Sequence, residues 1–149
     1  MQDSIMADIT DTIALLQTGD RSGARERFGE IWSRMQPIPD PFQECVLSHY
    51  MADLQNQIDM ELMWDIRALN AALRATDEDA KNHHPSHSIK DFFPSLHLNL
   101  ADDYLRTGDF GSARRHLQDG LSLLSALSDS PYAITIRSGF DRIAARLND

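Results

Sequence analysis

Five of the six histidines, His49, His83, His84, His87 and His97, invite a chemical reading, because three of them fall within five residues. Imidazole is the commonest protein metal ligand and titrates near neutral pH, so such a set points first to metal binding or proton handling. His49 and Asp53 are spaced i, i+4, which on a helix puts both side chains on one face. His97 lies near the start of a later helical segment, and a site of His49, Asp53 and His97 closed by His84 is geometrically open. Against it, Pro85 breaks any helical register between His83 and His87, and no His-Glu-x-x-His or Cys-x-x-Cys spacing is present. Buried hydrogen-bonding roles for His49 and His97, with the remaining three in an exposed loop, therefore take precedence over a metal site. No cofactor is expected. A small-molecule pocket of Tyr50, Trp64 and His97 stands between the two readings.

The other reactive groups point to structure. Cys45 sits in an apolar stretch where a thiol is usually a small buried hydrophobe, and Glu44 or Glu61, if close, would raise its pKa. The acidic pairs Glu61 with Asp65 and Asp102 with Asp103 could serve acid–base or cation chemistry, but in so acidic a chain solvated faces are the default expectation. The seven glycines stand singly, so no phosphate-cradling loop is formed. A formal charge of −9, with only two lysines and scattered arginines, repels phosphate backbones and argues against nucleic acid as a direct partner. Apolar runs are too short to cross a bilayer, and Met1 to Thr10 lacks a basic region followed by an apolar one. The expected location is the cytoplasm, with no membrane partner.

What must position these residues is helical almost throughout. Leu98, Ala101, Tyr104 and Leu105 recur at helical spacing before Gly108, and the period restarts after Asp109 with Phe110, Ala113, Leu117, Leu121 and Leu124. Gly108 can take the left-handed conformation that ends a helix, and Asp109 can cap the next, so Thr107-Gly108-Asp109 joins two antiparallel helices. Thr18-Gly19-Asp20 repeats that junction, and the alignment also matches Ala24 with Ala113 and Arg25 with Arg114. A middle hairpin turns at Asn56-Gln57-Ile58-Asp59, where Asn56 is the candidate for the left-handed position. Phe42, Cys45, Val46, Tyr50 and Leu54, together with Leu47, Met51 and Ile58, leave its first helix apolar nearly all round, which predicts a sandwiched helix. Ser130 and Pro131 open a last helix with Ile136, Phe140, Ile143 and Leu147 on one face.

Leu100, Ala101, Tyr104, Gly108, Phe110, Ala113, Leu117, Gly120 and Leu121 stand at the spacing of the tetratricopeptide signature, and this segment resembles a repeat of that family. His97 departs from it, standing where an aromatic is usual. The whole chain resembles the small stand-alone tetratricopeptide-like proteins of bacteria, through His49-Tyr50, Trp64-Asp65 and Pro94 to Leu100. The resemblance implies an all-α fold: a right-handed α-α superhelix of about three hairpins, residues 4–35, 41–75 and 94–127, with an insert at 76–93 and a capping helix at 131–147. It transfers an architecture and no catalytic residue.

In that architecture the groove would be lined by Ile9, Ile13 and Leu16 in the first hairpin, Tyr50 in the middle one, and Leu98, Asp102 and Leu105 in the third. It is apolar and lacks the Lys, Arg and Asn set with which some members grip a terminal carboxylate. A helical or apolar guest, a second copy of the chain, or the C-terminal helix itself are the candidate occupants. The expected function is a non-enzymatic protein-interaction scaffold, or self-association. The alternative is a small-molecule or metal-binding protein, enzymatic or not, built around His49, His84 and His97.

Overall fold

The computed structural model describes residues 4–81, 89–125 and 130–148, so His83, His84 and His87 lie outside the described residues. Those described form helices α1 (Ser4–Gln17), α2 (Arg21–Met35), α3 (Pro41–Asp53), α4 (Ile58–Arg74), α5 (Asp77–Lys81), α6 (Phe93–Thr107), α7 (Phe110–Leu124) and α8 (Pro131–Leu147), with a 3-10 turn at Ile89–Phe92 before α6 and no strand. No helix among them is long and apolar enough to cross a membrane.

Local chemistry sets the breaks between helices. Gly19 and Gly108 both take positive φ, 98° and 87°, where a side chain would be strained. The following Asp20 and Asp109 carboxylates accept the free N–H groups of Gly23 at 2.9 Å and Ser112 at 3.1 Å. Asp40 caps α3 and Ser130 caps α8 in the same way, each with a proline at the first helical position. The middle turn differs from expectation. No non-glycine residue among those described has positive φ, so Asn56 is not left-handed. The end of α3 is instead closed by tight i→i+3 bonds, from Leu54 N–H to Met51 and Gln55 N–H to Ala52.

Helices pair as α1 with α2, α3 with α4, and α6 with α7; α4 also packs on α6, and α8 on both α6 and α7. Helix α3 is buried on two sides. Leu47 and Met51 join Ile9, Phe28 and Ile31 in one core, while Phe42 and Cys45 join Ala68, Ala71, Ala72 and Leu96 in another. The first and middle pairs also meet through Trp32 and Trp64, edge to face at 5.5 Å, with the Arg67 guanidinium over both rings.

Helix α8 is bound by its apolar stripe. Ile143 and Leu147 pack with Ala101, Leu105 and Ala113, and Phe140, fully buried, packs with Leu124, Ala133 and Ile136. Burying one such phenylalanine contributes about 1.5–3 kcal/mol. The fit depends on Gly120: a Cβ there would lie 2.2 Å from Phe140 Cζ and 3.1 Å from His97 Cβ. Tyr132 O–H donates to the Asp91 carbonyl at 3.1 Å and ties the start of α8 to the 3-10 turn.

Candidate functional site

The first helices of the three pairs and α8 enclose a cleft of about 650 Å³. Met6 and Ile13 of α1 and Val46, His49 and Tyr50 of α3 line one wall. Leu96, Leu98 and Asn99 of α6 form the other, with Phe92 and the α8 residues Tyr132, Thr135 and Ile136 at the end. Most of this lining is hydrocarbon or aromatic. Its central polar feature is a pair in which Asn99 Nδ2 meets His49 Nδ1 at 3.2 Å. With the amide as donor, His49 Nδ1 is the unprotonated nitrogen. Burial pushes the His49 pKa down, with Asp53 opposing, so neutral imidazole is the form that fits this contact.

Of the expected groove residues, Ile13, Tyr50 and Leu98 line the cleft. Leu105 instead belongs to the α6–α7–α8 core, because it falls on the α6 face that α8 covers. Ile9 is fully buried, and Leu16 packs against the first core. Asp102 borders an adjoining hollow of about 350 Å³ shared by Leu98, Asn99, Arg142 and Arg146. Neither arginine is legible as a groove residue, since both come from α8, which the sequence presents only as a cap. Cys45 is buried, its thiol pushed up to about 12 by burial and then by Glu44. Glu61 plays no part there and lies in a separate cluster.

That cluster corrects the expectation of solvated acidic faces. Asp103 is fully buried and Asp65 nearly so. Arg106 holds three carboxylates at once: Asp103 at 2.9 Å, Asp102 at 3.0 Å and Glu61. Asp65 Oδ1 and Asp103 Oδ2 are left without a donor. Two adjoining carboxyls in such surroundings cannot both ionise, so they share a proton. Burial first, then Asp65 and Glu61, pushes Asp103 up to about 11; burial raises Asp65 to about 7. Glu61, Asp102 and Asp103 place oxygens close enough for one cation, but the guanidinium already bridges them, so the set locks α4 to α6. A signal was present in the sequence: Asp103 falls three and seven residues after Leu100 and Leu96, on the buried stripe of α6.

The histidines divide. His49 takes Asn99, whereas His97 takes His116 of α7, Nδ1 to Nδ1 at 3.0 Å. Asp53 sits at the exposed end of α3, where its carbonyl accepts from Arg21 at 3.0 Å. His49, Asp53 and His97 are not gathered into one ligand set, and His84 lies outside the described residues. Trp64 is held in the first core, so of Tyr50, Trp64 and His97 only Tyr50 faces the cleft. His116, the one histidine outside the set singled out in the sequence, is the partner of His97. No family model, curated protein or solved structure matches the chain.

Proposed function

We propose that the protein is a non-enzymatic interaction module whose cleft receives an apolar segment of a partner protein, with an acidic group of that segment on Arg142 and Arg146. The observation that carries this reading is the composition of the cleft: a largely apolar trough, continuous through Leu98 and Asn99 with two arginines, in a chain of formal charge −9. An apolar side chain in the trough leaves water, while a carboxylate at the α8 end meets cationic groups in an otherwise repulsive field. The resemblance to tetratricopeptide proteins agrees with this use of the first helix of each pair, and the superhelical arrangement belongs to the same proposal.

The test is a fluorescence-anisotropy panel of labelled peptides, each with a Leu- and Ile-rich amphipathic stretch followed by Glu-Glu, Lys-Lys or neither. The acidic series is expected to bind best, and to be weakened by Thr135→Trp, which fills the rim, and by Arg142→Glu with Arg146→Glu. Equal binding of all three series, or binding untouched by these exposed substitutions, overturns the reading. A small apolar ligand is the second reading, favoured by two observations. The volume falls in the range of about 300–1,000 Å³ usual for such sites, and the His49–Asn99 pair supplies an orienting polar contact. Native mass spectrometry of untagged protein separates the two, and a dimer whose interface excludes the peptide would mark self-association instead.

A further inference from the structure

Away from the cleft, the α6–α7 hairpin gathers His97, His116 and Asp119, whose ligand atoms all lie within 4.8 Å of one another. The imidazoles approach through like atoms, Nδ1 to Nδ1 at 3.0 Å. Without a metal, that contact requires one ring to carry its proton on Nδ1 and the other on Nε2. Two zinc–nitrogen bonds of about 2.0–2.1 Å, meeting at roughly 95–110°, span about 3.0–3.4 Å. The observed separation thus suits either one shared proton or one shared ion.

Three further features favour the ion. The rings are fixed before any ligand arrives: Tyr104 stacks on His116 at 9° and 5.5 Å, and Gly120 lets α7 approach the His97 Cβ. Asp119, one turn from His116, is exposed and brings a negative charge beside both rings. Unlike the Glu61, Asp102 and Asp103 set, this one has no guanidinium bonded to it among the described residues.

We infer that His97, His116 and Asp119 form a binding site for one divalent transition-metal ion, through both Nδ1 atoms and a carboxylate oxygen, with water completing the shell. Two imidazoles and one carboxylate select zinc, nickel or copper over calcium and magnesium, which prefer all-oxygen shells. On binding, the proton between the rings moves to Nε2 of the imidazole that carried it, so neutral histidine releases none. The ion would clamp α6 to α7.

The probe is Zn²⁺ alone, titrated at pH 7.4 into the untagged full chain against a chromophoric chelator. The triple variant His83→Asn, His84→Asn, His87→Asn removes the other clustered imidazoles and is expected to keep one zinc per chain. In that background His116→Gln is expected to weaken binding by at least about tenfold, and Asp119→Asn by a smaller factor. Asp119 is exposed, so its substitution reads the site even where loss of the His116–Tyr104 stack disturbs folding. Long-range ¹H–¹⁵N spectra should show the Nδ1 signals of His97 and His116 moving together with zinc. Loss of zinc binding in the triple variant, or unchanged affinity in both His116→Gln and Asp119→Asn, overturns the assignment.

Discussion

Replacing Asp103 by asparagine should remove a pH dependence of stability that the wild-type protein carries above neutrality. In the unfolded chain Asp65 and Asp103 titrate near 4, whereas the folded pair keeps a proton, with Asp103 pushed up to about 11. A group with a raised folded pKa contributes its full stability below the unfolded pKa, and loses it as pH climbs toward the folded one. The cleanest window is pH 7.0 to 8.5. There Asp65, raised to about 7, is half titrated at the start, and Cys45, pushed up to about 12, begins to differ from the unfolded thiol at the end, so each adds no more than about 0.5 kcal/mol of the same sign. Facing the pair are Glu61 of α4, Arg106 of α6 and Asp53 of α3. One retained proton gives a slope of about 1.4 kcal/mol per pH unit, hence about 2 kcal/mol over the window. For a chain of this size that lowers Tm by roughly 4–8 °C. In Asp103→Asn the amide oxygen can still accept from Arg106 while its N–H₂ donates toward Asp65, so most of the slope should vanish. Thermal unfolding followed by circular dichroism at three pH values and constant ionic strength decides it. A wild-type Tm flat to within a degree, or an equal slope in the variant, would refute the shared proton.

Other perturbations test the packing directly. Gly120→Ala drives a methyl into the Phe140 ring and should destabilise by about 1–3 kcal/mol in urea titrations, because neither that ring nor His97 has room to retreat. Phe140→Ala should cost about 3–5 kcal/mol and loosen α8, visible as faster amide exchange from Ala133 to Leu147. The Cys45 thiol should resist an aromatic disulfide reagent at pH 8 in native protein and react at once in guanidinium; rapid native labelling would contradict its burial.

The helices were legible wherever one residue type dictates a backbone state. Gly19 and Gly108 were read from the left-handed turns they must make, and Asp20, Asp109 and Ser130 from the N–H groups they cap. The middle turn was misread at Asn56, because asparagine only permits the left-handed state while the chain had tight i→i+3 bonds available. The site was less legible, since its partners come from different helices. Nothing near Asp65 in the sequence announces Asp103, and nothing near His97 announces His116; both pairings exist only once α4, α6 and α7 are packed. Of the cleft's apolar lining, Ile13, Tyr50 and Leu98 stood among the expected groove residues, whereas Ile9, Leu16 and Leu105 turn into the cores. The basic end of the cleft was not legible, because Arg142 and Arg146 read as the solvent side of a cap.

The tryptophan pair has a practical consequence for anyone watching this molecule unfold. The chain has two tryptophans, and both sit at the junction of the first and middle pairs, under one guanidinium. Their emission therefore reports that junction and is blind to α6, α7 and α8. In molecules whose helical pairs touch only neighbours, the ends can melt separately. A fluorescence midpoint above the circular dichroism midpoint would mean that the C-terminal pair and its cap open first, while the tryptophan end still stands.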